Sequence, residues 1–301
     1  MRCALRSQCH MPPASQSKRP HTAVIVHVFY TELWEELKIC INNIRECGLA
    51  GSVDVFITYP RNQKFVETIP GAHVVLVENR GWDSWPFCKI LNEIDLSSYD
   101  YVIKLHTKRD IPHFWLNFHV FRGGEWRTEL LSFCSSQEST HRTFRALALQ
   151  PHLGMVAAER VIDPIGGGTW RKRELCKQDD IVRTLGYEPR ERTLVYGTMF
   201  AVRASLLVPI WRRYSVDDFS SPQKGNEHAE YGLAGDLELI YGLLVRAQGY
   251  FVSSAIPSEW LARLWYFCKG HYFRTLRFVS DAVRRSPFSR MFNTFLERCE
   301  K

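Results

Sequence analysis

Residues 23–48 read AVIVHVFYTELWEELKICINNIRECG. The first eight, Ala23–Tyr30, form a nearly continuous β-branched and aromatic run, the pattern of a strand covered on both faces of a parallel sheet. Thr31 follows as a helix cap, with Glu32, Glu35 and Glu36 in the first turns. Leu33, Leu37, Ile41 and Ile44 then recur at helical spacing until Gly48 stops the helix. Strand followed by helix is the start of a βα unit.

The alternation continues outward. Ser52–Tyr59, Ala72–Glu78 and Tyr101–Leu105 read as further buried strands, with a helix at Pro86–Ile94. Short apolar strands separated by helix-length segments predict an α/β fold, a mostly parallel twisted sheet flanked by helices with ligands at the carboxyl ends of its strands. Beyond residue 120 the pattern is less regular. It predicts helices at Glu129–Cys134, His141–Leu149, Arg171–Leu185, Ala204–Arg213 and Leu233–Gln248, and strands at Gly154–Ala158, Val195–Val202 and Tyr250–Ser253. The triple-glycine loop Ile162–Thr169 lacks the Lys-Ser/Thr of a phosphate loop and reads as a connector.

With 301 residues, 45% of them hydrophobic, the chain has the material for one large core. The expected organisation is a disordered basic segment at 1–20, one domain at 21–255 and a basic, aromatic helical extension at 256–301. The formal charge of +7 lies entirely at the ends, because residues 21–255 hold 26 basic and 28 acidic side chains. A polyanion-binding face belongs on the folded domain, so this placement excludes nucleic acid as the partner and points the termini toward anionic membrane. The nine cysteines form no Cys-x-x-Cys pair, which predicts reduced thiols rather than a zinc site or a disulfide framework. Residues 1–20 lack the apolar core of a signal peptide, and no stretch approaches the roughly 20 apolar residues of a membrane span. The expected location is the cytoplasm, peripheral at the inner face of the plasma membrane.

Two strand ends concentrate chemistry. Residues 100–110 read DYVIKLHTKRD, a buried strand running out into His106, Lys108, Arg109 and Asp110 with Lys104 two residues back. As a set they suit an anion. Residues 78–87 read ENRGWDSWPF: Arg80 can fork onto a phosphate, Asp83 can hold a sugar hydroxyl, and Trp82 and Trp85 offer ring faces.

These residues belong to an ordered series: His27-x-Phe-Tyr, Trp34-Glu-Glu, Asn79-Arg-Gly-x-Asp with Pro86-Phe87, Lys104-x-His-Thr-Lys108, Trp126-Arg127 and Gly197-Thr-Met-Phe-x-x-Arg203. The series resembles the rhamnan synthesis protein F family over Ala23 to Tyr250. The resemblance implies a nucleotide-diphosphate-sugar transferase with a GT-A-like fold. It would use dTDP-rhamnose and a polyprenyl-linked glycan acceptor to build a cell-surface polysaccharide or O-antigen-like chain. His27, Asn79, Arg80, Asp83, Lys104, His106, Lys108 and Arg127 then fall on the donor side, and Gly197, Thr198 and Arg203 on the acceptor side.

Where GT-A enzymes carry Asp-x-Asp for a divalent cation, this chain has His106-Thr107-Lys108. Fixed cations are therefore expected in place of a metal, with no cofactor required and Asp110 the ligand if a metal is used. The base for the acceptor hydroxyl is expected at Asp236 or Glu238. In that helix the family's Glu-Arg pair reads Glu238-Leu239 and its His reads Gly235, so Glu238 alone carries over. The competing reading is a non-catalytic glycan- or lipid-carrier-binding subunit of a polysaccharide assembly complex.

Overall fold

The computed structural model describes residues 19–63, 69–116, 119–164, 172–220 and 232–256, with scattered positions between 260 and 275. The predicted segment 1–20 therefore lies almost wholly outside the described residues, as do most of the triple-glycine loop and the distal half of the extension. The first half alternates as the sequence predicts: β1 (His21–His27), α1 (Trp34–Glu46), β2 (Ser52–Pro60), β3 (Ala72–Val77), α2 (Ser84–Glu93) and β4 (Tyr101–His106). Thr31 begins a 3-10 turn rather than capping α1, whose first turn carries no side-chain cap. Trp34, Leu37, Cys40, Ile41 and Ile44 form the buried stripe of α1, which the 3.6-residue period places on one face.

A hairpin of β5 (Ile111–Leu116) and β6 (His119–Gly123) follows β4, where no strands were expected. Next come α3 (Glu125–Leu131), α4 (Gln137–Leu149), β7 (Leu153–Ala157), β8 (Ile162–Asp163) and α5 (Lys172–Thr184). The predicted strand Val195–Val202 is two strands, β9 (Leu194–Val195) and β10 (Phe200–Arg203), because Gly197 and Thr198 both adopt left-handed backbone, φ +76° and +51°. The predicted helix at Ala204–Arg213 is a 3-10 helix over Ala204–Ile210 containing Pro209, which lacks the amide hydrogen for an α-helical bond. The chain then forms α6 (Gly232–Ala247) and β11 (Phe251–Ser253).

The central sheet has seven strands in the order β11-β7-β10-β4-β1-β2-β3. All pair in parallel except β10, which runs antiparallel between β4 and β7. This is a mixed α/β, Rossmann-like architecture. Ring contacts of Phe87 and Tyr241 with Phe200 place α2 and α6 on the face that carries Lys104, Phe200's register partner. Tyr101 meets Phe144 of α4 on the opposite face, which α4 shares with α1. Because β10 reverses, its entry turn at residues 197–198 arrives beside the carboxyl end of β4, among the residues the sequence had singled out.

The described cysteines are free thiols: Cys40, Cys47, Cys88 and Cys134 are buried, and Cys176 and Cys268 are exposed. Among the described residues no helix is long and apolar enough to cross a membrane.

Candidate functional site at the carboxyl edge of the sheet

Two left-handed turns meet over the end of β4. Before α2, Gly81 (φ +58°) and Trp82 (φ +50°) turn the chain so that Asp83 points inward. A Cβ at Gly81 would lie 2.4 Å from the Phe219 ring, so only glycine fits. Before β10, a Cβ at Gly197 would lie 2.4 Å from Leu130 and 2.9 Å from Trp126. Trp82 and the β-branched Thr198 hold a backbone conformation that ordinary residues avoid, and such strain persists only where its surroundings enforce it.

The enforcement is a buried ionic cluster. Lys104, 1% exposed, pairs with Asp83 Oδ2 and donates to the Thr198 hydroxyl at 2.8 Å and the Thr198 carbonyl at 3.2 Å. The Thr198 hydroxyl donates in turn to Asp83 Oδ2 at 2.7 Å. The rings of Phe87 and Tyr241 flank the ammonium, with centroids at 5.5 and 6.0 Å. Burial pushes the Asp83 carboxyl up, but His106, Lys104 and Lys108 together hold it well below the usual carboxylate range.

Two imidazoles stand beside this cluster. His27 and His106 end β1 and β4 in the same register, so both face the α2–α6 side. Thr58 donates its one hydroxyl hydrogen to the Val26 carbonyl (3.1 Å) while lying 3.0 Å from His27 Nδ1. Both contacts are satisfied together only when Nδ1 carries the proton, which leaves Nε2 of His27 as an acceptor. Burial, aided by Lys104 and opposed by Asp83, lowers the His27 pKa to about 4. His106 is 4% exposed, and neither of its ring nitrogens has a hydrogen-bond partner among the described residues. Its Nδ1 lies 3.6 Å from Asp83 Oδ2, and burial holds its pKa well below 6.5. Both rings are neutral near pH 7.

The remaining sequence-selected residues divide between this site and other duties. Lys108 is partly exposed just past His106 and has no ion-pair partner among the described residues. Arg127 is engaged, donating to Glu36 at 2.6 Å and pairing with Asp110. Asn79 is exposed, and Arg80 lies at the rim 3.9 Å from Asp217. Asp236 pairs with Lys177 at 2.5 Å. Glu238 accepts the Gly197 N–H at 3.0 Å and so anchors the 197–198 turn. Gly197 and Thr198 belong to the cluster itself. Arg203 sits at the far end of β10, opposite Tyr101 at the start of β4, donating to the carbonyls of Leu147, Gln150 and Leu153. The two tryptophans also separate, since Trp82 is 45% exposed at the rim and Trp85 is buried against Phe219. Among the described residues no three His, Cys, Asp or Glu side chains converge in a way that could hold a metal.

Sequence reading passed over Thr58 and gave Thr107 no role of its own. The Thr107 hydroxyl accepts the N–H groups of Phe29 and Tyr30, both at 2.9 Å, and so ties the exits of β1 and β4 together. Its place inside the His-Thr-Lys run was the available signal; Thr58 gave none.

Two openings lie along the same edge. One, of about 280 Å³, is lined by Phe29, Tyr30, Glu32, Gln63 and Arg109, whose guanidinium lies 4.3 Å from the Tyr30 ring centre. The other, of about 910 Å³, lies at the ends of β7 and β11 between Glu129, Arg142, Arg160, Lys269 and Tyr272.

The fold and its polar carboxyl edge define an α/β protein of the Rossmann-like class with its candidate site at the strand ends. The model of the family described as rhamnan synthesis protein F matches residues 5–250, and the chain belongs to that family. It is also similar to the proteins named "Uncharacterized protein WxcX" from two strains of Xanthomonas campestris pv. campestris, each 26% identical over 251 residues. That alignment covers 80% of this chain and 34% of theirs, so the chain spans about a third of the length of the curated relatives it matches. The description of that family names the synthesis of rhamnan, a polysaccharide.

Proposed function

We propose that the chain is a nucleotide-sugar-dependent glycosyltransferase with a GT-A-like site, transferring rhamnose from dTDP-rhamnose to a polyprenyl-linked glycan. The observation that carries this reading is Lys108. It stands without an ion-pair partner among the described residues just past the end of β4, close enough to His106 to disfavour the charged form of that ring. A diphosphate leaving group gains negative charge as the glycosidic bond breaks, and a fixed cation at its oxygens lowers that barrier. Lys104 does not supply this charge, because Asp83 already neutralises it. The 280 Å³ pocket beside Tyr30 suits the nucleoside.

The test is a thermal-shift panel of nucleotide sugars on the full chain, since a ligand of the native state raises its apparent stability. dTDP-rhamnose should stabilise the wild type, and Lys108→Ala should weaken binding roughly 10-fold, the loss of one charge-assisted contact. Equal responses to unrelated nucleotide sugars would remove the donor assignment.

One observation favours the non-catalytic reading. Asp236 and Glu238, the carboxylates expected to act as base, are engaged by Lys177 and the Gly197 N–H. Release of nucleoside diphosphate with a lipid-linked acceptor separates the two. The proposed setting is the cytoplasmic face of the membrane. It is supported by exposed Trp260, Leu264 and Phe267 in a segment, 256–301, with nine basic and four acidic residues. Flotation with phosphatidylglycerol vesicles checks it.

A further inference from the structure

An inverting transfer needs a group to take the proton of the incoming sugar hydroxyl, and the expected carboxylates do not offer one. Glu238 holds the 197–198 turn, and Asp236 holds Lys177. Asp83 is committed to Lys104 and Thr198. His106 is different. It is buried at the strand end where ligands of such sheets bind, and both of its ring nitrogens lack hydrogen-bond partners among the described residues. A buried polar atom left unpaired costs about 1–3 kcal/mol, so its retention calls for an explanation in function.

We propose that His106 is the catalytic base of the transfer, with Asp83 as its positioning carboxylate. The inference rests on the transferase reading above. Nδ1–H faces Asp83 Oδ2 at 3.6 Å, which leaves the Nε2 lone pair as the proton acceptor. In the step, the O–H bond of the acceptor hydroxyl breaks and its proton passes to Nε2. The hydroxyl oxygen bonds to the anomeric carbon, and the bond from that carbon to the diphosphate breaks, its electron pair leaving with the diphosphate. Asp83 stabilises the imidazolium, and Lys108 faces the departing charge.

The groups around the ring set when it can accept a proton. Burial, then Lys104, Lys108 and His27, disfavour the imidazolium, while Asp83 favours it. A diphosphate bound beside Lys108 offsets part of that positive charge, and the ring stays neutral until it takes the hydroxyl proton.

The experiment follows dTDP release from dTDP-rhamnose and a synthetic polyprenyl-linked rhamnoside across pH, with dTDP binding read by calorimetry. In the wild type turnover should fall on the acid side as the ring is protonated. His106→Gln should keep the affinity for dTDP, lose that acid limb and turn over about 10²–10⁴-fold more slowly, with partial rescue by added imidazole. Normal turnover in His106→Gln would overturn the proposal and leave the transferase reading standing. Failure of the wild type to bind dTDP-rhamnose in thermal shift would overturn both. If the variant does not fold, the wild type decides, because turnover with no acid limb overturns the assignment.

Discussion

The two ends of β1 and β4 carry similar residues and use them in opposite ways. At the amino end His21 is fully occupied: its N–H donates to Asp100 at 2.7 Å, Nδ1 lies 3.0 Å from the Ser98 carbonyl and Nε2 lies 3.0 Å from Asp54. Tyr99 donates to the same Asp54 at 2.8 Å, and Arg203 satisfies three carbonyls nearby. At the carboxyl end His106 is more deeply buried and has no hydrogen-bond partner among the described residues, and the backbone around it is twisted into left-handed turns at Trp82 and Thr198. One end is a latch made of satisfied, part-exposed pairs. The other stores unsatisfied polar atoms and strain, which folding alone does not require.

Breaking the carboxyl-end cluster should have the largest effect on stability. Lys104→Met leaves Asp83 without its buried cation and should cost about 3–5 kcal/mol in urea unfolding, with much of the loss recovered on adding Asp83→Asn. A loss below about 1 kcal/mol, the scale of a surface pair, would erase the contrast between the two ends.

Acid should act on the same end. His27 is neutral in the native state down to a pKa of about 4, against 6.5 for an ordinary histidine. Between those values the unfolded chain binds more protons, so stability is complete above pH 6.5 and falls as pH drops toward 4. For His27 alone the loss is on the order of 3 kcal/mol, and His106 adds in the same direction. Melting temperature followed across this window should fall steeply in the wild type and less in His27→Gln.

The smallest of these changes belongs to the amino end. Arg203→Ala removes the donor to the carbonyls of Leu147, Gln150 and Leu153 and should cost about 1.5–3 kcal/mol with nucleotide-sugar binding unchanged. Loss of binding with intact stability would return Arg203 to the ligand side.

Much of the first half was legible. The run 23–48 specified a buried strand and an amphipathic helix because those patterns depend on neighbours in the chain. Lys104, His106 and Asp83 were legible as candidates because polar residues interrupt apolar strands or follow them directly. Their distribution of roles was not. Arg203 shares a short motif with Thr198, yet an antiparallel strand carries it to the opposite end of the sheet.

In the first half, up to β4, the order of strands and helices, the apolar faces and the polar strand ends were determined by the sequence itself, since local sterics and hydrophobic period act over a few residues. Tertiary structure alone decided that β10 would reverse between β4 and β7, that Thr198 would meet Asp83 across 115 positions, and that Glu238 would be an anchor. Those contacts join residues far apart in the chain, and their energies come from burial and charge pairing that exist only after the sheet has closed around Lys104.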